Sequence, residues 1–200
     1  MKREQPFNFF AQMMPLLVVV SGCQPASETE QQVEPDSVPT TERLVPQFEV
    51  DPTWPMLPND WVLGSVASVD VDSRDHVWIY HRPRSVDEAQ QANAAPAVLE
   101  FDPDGNFVQG WGGLGDGYEW PSNEHGIEVD DQDYVWLGGN GGGESSDDML
   151  LKFSRDGELI MQIGGRNTSG GNTDTDNLNR PAEAAVYRDT NEVFVADGYG

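Results

Sequence analysis

The amino-acid sequence predicts an all-β protein. Its architecture reads as a partial β-propeller of about two and a half to three four-stranded blades, from an expected ring of six, truncated at its C-terminus. Three observations carry this reading: an internal repeat at a nearly constant offset, turn residues between alternating strands, and the composition. With 21 Gly, 14 Pro, 6 Trp, 8 Phe and 5 Tyr, the chain combines many turns with large aromatic surfaces to bury. That mixture suits short strands better than helices.

The repeat comes first. The segment Val69–Ile79 (VDVDSRDHVWI) aligns with Ile127–Leu137 (IEVDDQDYVWL) at an offset of 58 throughout. A third copy, Ala184–Val195 (AAVYRDTNEVFV), carries one extra residue in its turn. Each copy reads as strand, Asp/Asn turn, strand, which is a hairpin. Second hairpins follow over Val98–Gly112 and Leu150–Gly164, with Asp-Gly at their tips to supply positive φ. Two hairpins per repeat make one blade, and a ring needs about four blades or more to close, so further blades are expected past Gly200. Trp78 and Trp136 hold equivalent positions and read as core between sheets; Trp111 and Ile163 match as outer-strand packing. Phe48 to Val62 reads as a lead-in packed on the first blade. The Asp clusters (Asp70 with Asp72; Asp130, Asp131 and Asp133; Asp147 with Asp148) read as solvated turn residues, and His76 as exposed.

The N-terminus has a different character. Lys2 and Arg3 precede an apolar run from about Phe9 to Val20, which is shorter than the roughly 20 residues a membrane-spanning helix needs. Residues 1–22 therefore read as a signal peptide. The run ends Val20-Ser21-Gly22-Cys23, which resembles the lipobox of bacterial lipoproteins. That resemblance implies lipidation of Cys23 and a place in the cell envelope. Gln24 after the cysteine implies the periplasmic face of the outer membrane. Residues 23–46 are rich in Glu, Gln, Pro, Ser and Thr and read as a disordered acidic tether, leaving 47–200 for the blades. The chain has 35 acidic and 11 basic residues, a formal net charge of -24. A field of that sign repels phosphates, so nucleic acid is excluded as a partner and membrane contact is left to the anchor. With Cys23 the sole cysteine, the mature domain has no disulfide and no thiolate metal site.

The repeat register then groups residues at one end of the blades. First-strand starts fall at Ala67, His125 and about Glu183; second-strand ends fall at His81-Arg82, Gly139-Asn140 and Asp197-Gly198-Tyr199. His125, Arg82, Asn140, Asp197 and Tyr199 are thus expected around one opening, with the glycines from Gly138 to Gly143 keeping it accessible. Facing alternates along a strand, so either His81 or Arg82 points inward. A neutral His can ligate Zn²⁺, an Arg can hold a carboxylate in a fork, and a Tyr beside a cation can act as a base. The set also suits a plain polar mouth in which His125 only bonds to a neighbouring blade.

Several phrases carry a resemblance. Gly64-Ser-Val-Ala-Ser-Val-Asp-Val-Asp with His81-Arg82, Trp120-Pro with His125-Gly-Ile, and Leu178-Asn-Arg-Pro with Val195-Ala-Asp-Gly-Tyr199 resemble the opening blades of NHL-repeat six-bladed propellers. More narrowly they resemble the peptidyl-α-hydroxyglycine α-amidating lyase branch. The resemblance implies a zinc ion held by three His, with His125 as the first ligand and the other two past Gly200. It further implies Arg82 as the substrate-orienting Arg, Tyr199 as the base, and a channel calcium taking the backbone carbonyls of Val69 and Ile127. The expected function is a metal-dependent lyase cleaving a carbinolamide of a small molecule or peptide at the mouth. The alternatives are a non-catalytic propeller binding a protein, peptide or glycan, and a calcium-dependent lactonase-type hydrolase.

Overall fold

A computed structural model describes residues 45–199. The signal peptide, Cys23 and nearly all of the tether lie outside the described residues. The chain divides into two units, Met1–Phe48 and Glu49–Gly200, and every strand described below belongs to the second. Among the described residues no helix is long and apolar enough to cross a membrane.

Two four-stranded antiparallel sheets and one hairpin follow in order. The first blade is β1 (Ser65–Val71), β2 (Val77–Arg82), β3 (Val98–Phe101) and β4 (Phe107–Trp111), paired in that sequence. The second is β5 (Glu124–Val129), β6 (Val135–Gly139), β7 (Met149–Phe153) and β8 (Leu159–Gly164). β9 (Glu183–Tyr187) and β10 (Glu192–Ala196) form the hairpin that opens a third blade. This is the predicted partial propeller. The register also bears out the inserted turn residue: Ile127 lies opposite Leu137, whereas Ala184 lies opposite Val195.

Alternation along the strands assigns each side chain to one neighbour. On blade 1, Trp78 and Tyr80 face blade 2 and meet Ile127, Val129, Leu137, Leu151 and Phe153 in one buried cluster. On blade 2, Trp136 faces the third hairpin and packs with Leu150, Ala184, Val186 and Val193. The tryptophans are therefore interblade core, as their repeat position predicts. The opposite face of blade 1, with Ile79, Leu99 and Phe101, is covered by Trp54, Leu57, Trp61 and Leu63 of the lead-in. Trp111 packs on Phe153 of blade 2, with ring centroids 5.1 Å apart, whereas its counterpart Ile163 stays exposed.

The aspartates differ from expectation. Asp72, Asp130, Asp147 and Asp148 are buried, because each carboxylate is consumed by nearby donors. Asp72 accepts the backbone N–H groups of Arg74 (2.8 Å) and His76 (3.1 Å) and the indole N–H of Trp78 (3.2 Å). Asp130 repeats the arrangement with Gln132, Tyr134 and Trp136. Burial alone would raise the Asp72 carboxyl, but the donors from Arg74, Trp78 and His76 hold it below its ordinary value. Asp147 accepts the backbone N–H groups of Ser122, Asn123 and Gly141 and so ties two loops together. These residues organise turns from within.

A periodic set of bonds joins the blades. The Asp70 carboxylate accepts the backbone N–H of Val129 (2.6 Å), and Glu128, 58 positions on, accepts that of Val186 (3.3 Å). At the hairpin tips, Arg74 bonds Asp133 and Gln132 bonds Asn191 (2.7 Å). The acceptors Asp133 and Asn191 both have positive φ, 65° and 57°, the conformation their short polar side chains tolerate best.

Candidate functional site at the mouth

His125 sits in an irregular stretch of β5, where the register against β6 shifts between Glu124 and Ile127. Such a bulge re-aims a side chain out of the ladder. Gly126 beside it has no room for a methyl group, since a Cβ there would lie 2.1 Å from the Ala182 carbonyl oxygen. The close approach lets His125 Nδ1 reach that carbonyl at 3.0 Å. A carbonyl only accepts, so Nδ1 is the nitrogen that donates here. The Tyr199 hydroxyl shares a 2.8 Å hydrogen bond with Nε2, with the rings edge-on at 5.3 Å. His125 and Tyr199, which the sequence register groups together, are joined by this bond.

Arg82 is half-buried, and its Nε donates to the carbonyl oxygen of Glu124 at 2.9 Å, one residue before His125. Among the described residues its terminal nitrogens have no bonded partner. His81 and Arg82 differ sharply in their surroundings. His81 is fully buried: its Nε2–H donates to the Pro96 carbonyl (2.8 Å), and its Nδ1 accepts the Gly64 N–H (3.1 Å). Burial pushes the His81 imidazole below its ordinary value, so it stays neutral.

The other two mouth residues serve their own loops. Asn140 accepts the side-chain amide of Asn123 (2.5 Å) while its N–H bonds the Asn123 carbonyl (3.0 Å). Asp197 accepts the Asn179 N–H at 2.7 Å. Neither is bonded to His125 or Arg82. Within the glycine run, Gly142 and Gly143 are exposed, whereas Gly138 and Gly141 are packed. A Cβ at Gly138 would strike the Pro181 oxygen at 2.4 Å and one at Gly141 the Ser122 hydroxyl at 1.8 Å, so these glycines permit close packing of loops. Val69 and Ile127 occupy matching places on the first strands, opposite Ile79 and Leu137.

Two clusters gave no sequence signal. Asp72, His76 and Glu100 bring ligand atoms within 4.8 Å of one another, but Arg155 from the β7–β8 turn fills the space between them. Its Nη1 lies 2.8 Å from Asp72, and its Nη2 bonds the fully buried Glu100, which also contacts His76 at 2.6 Å. His76 is thus part of a hydrogen-bonded network with Glu100 and Arg155, not a free turn residue. On blade 2, Lys152 stands where Glu100 does, 3.8 Å from Asp130, and supplies the cation from within the blade. Arg155 lies far along the chain from all three partners, and no local pattern announces it. The second cluster is Glu124, Arg84 and Trp120. Glu124 is 2 % exposed and accepts Trp120 Nε1 (2.9 Å) and Arg84 Nη2 (3.0 and 3.1 Å).

No family model matches the chain. Over 158 residues it is 28% identical to NHL repeat-containing protein 3 of the mouse, Mus musculus, which takes in 78% of this chain and 41% of that protein. The chain therefore spans about two fifths of that relative's length. The sheets and this similarity fit an NHL-type propeller. In such a propeller the first strands converge on the axis, and here β5 packs against both β1 and β9. His125 stands at the start of β5, the strand between β1 and β9.

Proposed function

We propose that this chain is the opening part of a lipid-anchored, extracytoplasmic NHL-type propeller whose mouth acts as a metal-dependent C–N lyase of the amidating type. Lipidation of Cys23 and a position on the periplasmic face of the outer membrane belong to the same reading. One observation carries it: His125, tied through Nδ1 to a backbone carbonyl, presents Nε2 to the Tyr199 hydroxyl. A ligating His is commonly oriented by such an outer bond, so His125 fits one place in a zinc site. Bound zinc would supply Lewis-acid polarisation of a substrate oxygen.

The chain's own residues have these roles. The free terminal nitrogens of Arg82 bind the carboxylate of a carbinolamide substrate in a fork. The hydroxyl of Tyr199 relays the proton from the carbinol oxygen to the departing amide nitrogen. As the C–N bond breaks, its electron pair stays on nitrogen and the carbinol carbon becomes an aldehyde. The products are a primary amide and glyoxylate, with atoms and charge balanced. The carbonyls of Val69 and Ile127 are proposed as ligands of a calcium ion in the channel, at the oxygen distances such a cation favours.

A second reading, a propeller that only binds a peptide or small molecule, draws on a different feature. Both ring nitrogens of His125 already have protein partners, and Asn140 and Asp197 are engaged in their loops. The two readings separate on N-benzoyl-α-hydroxyglycine offered to the intact protein. The lyase reading expects release of glyoxylate and benzamide, reduced at least about a hundredfold in Arg82→Ala and Tyr199→Phe. No glyoxylate above the uncatalysed rate leaves the binding module.

A further inference from the structure

Beside the mouth lies a cavity of about 400 Å³, a size that holds a small ligand or a large side chain. Its apolar walls include Trp61, Leu114 and Trp120, from the lead-in and the β4–β5 loop. Trp120 is 3 % exposed and is fixed edge-on to Tyr80 at 6.1 Å, so this wall is rigid. Leu114 is 91 % exposed, a large aliphatic side chain on the cavity wall with nothing among the described residues that covers it. The polar edge is Arg84 and Glu124.

The polar edge has spare donors. The Glu124 carboxylate already accepts from Trp120 and Arg84. Every bond that Arg84 makes among the described residues, to Glu124, Pro121 and Ser122, uses Nη2. Its Nε and Nη1 remain for a ligand oxygen. The cavity therefore departs from the acidic character of the chain: it suits an apolar body carrying a carbonyl or carboxylate oxygen. Its rim residue Glu124 directly precedes His125 in β5, and the Glu124 carbonyl accepts the bond from Arg82.

We propose that this cavity is the subsite for a large apolar side chain of a peptide or acyl-amino-acid ligand, with Arg84 holding a ligand oxygen at its rim. The proposal takes from the function above only that the ligand also reaches His125, and its test uses neither metal nor turnover. Binding of N-acetyl-L-phenylalanine and N-acetyl-L-alanine to the intact, EDTA-treated protein is compared by calorimetry or ligand-observed NMR. The two probes share the acetyl group and carboxylate and differ only in the apolar body. The phenylalanine probe is expected to bind at least about tenfold more tightly. Leu114→Ala, at an exposed position that the fold does not need, shrinks that preference. Arg84→Lys, which keeps a cation on Glu124 but loses the fork, weakens both probes alike. Equal affinities, no binding of either probe, or a preference untouched by Leu114→Ala would overturn the proposal. A preference that survives in a protein without lyase turnover leaves the cavity standing and removes only the lyase reading.

Discussion

At the residue scale, the two histidines beside the mouth have opposite roles that follow from their bonds. His125 is half-buried and has one nitrogen whose only described partner is an exposed phenol. His81 is sealed between a donor and an acceptor, so a second proton on it would face the Gly64 N–H. Its folded pKa is lowered, with burial as the cause and the Pro96 bond in opposition. The sign follows from linkage. Above the unfolded value of about 6.5, neither state carries the proton and nothing is lost. Below it the unfolded chain gains a proton that the folded chain refuses, and stability falls with pH. Urea unfolding is expected to show a lower midpoint at pH 5 than at pH 7.5. His81→Leu should flatten that dependence while lowering stability throughout, because Pro96 and Gly64 lose their partner. Asp72, whose folded pKa is also lowered, acts in a different window, below about 3.8.

Much of the residue-level site was legible because the repeat sets register. Counting at an offset of 58 placed His125 and Tyr199 together, and the bond between them agrees. The same count put Asn140 and Asp197 at the opening but could not show that their side chains turn back to Asn123 and Asn179. The buried aspartates were hidden for a related reason: an Asp in a hairpin looks the same in sequence whether it faces water or caps the turn from inside. A sign was present in the spacing, since Asp72 precedes Trp78 by the interval that separates Asp130 from Trp136. An indole N–H buried at a repeat position needs an acceptor, and this Asp is it.

At the element scale, the contact between β5 and β9 decides whether the mouth exists. Gly126 allows the two strands to approach until His125 meets Ala182. Gly126→Ala puts a methyl carbon against a backbone oxygen, which cannot rotate away. The expected loss is at least about 2 kcal/mol, with the third hairpin released from blade 2. Hydrogen exchange of the β9 and β10 amides would report this directly, and unchanged protection in Gly126→Ala would contradict it. The phrase His-Gly-Ile therefore has a structural half: the glycine belongs to blade packing, whatever the histidine does.

At the scale of the molecule, blade 1 carries an unfinished surface. Val69 and Val71 are each 53 % exposed, while their counterparts Ile127 and Val129 are 2 % and 8 % exposed against blade 1. The lead-in covers the outer part of that face through Ile79, Leu99 and Phe101 and leaves the inner strand open. An adjoining blade would bury the two valines and bring further strand starts to the opening that His125 shares. Under the proposed lyase reading, a three-His zinc site would be a property of the whole ring, with His125 as one of its ligands. The direct measurement is the zinc content of the intact protein, purified without added metal, beside that of His125→Ala. The account expects about one zinc per chain in the wild type and a loss of most of it in the variant. A wild type without zinc, or full zinc retained in His125→Ala, would contradict it.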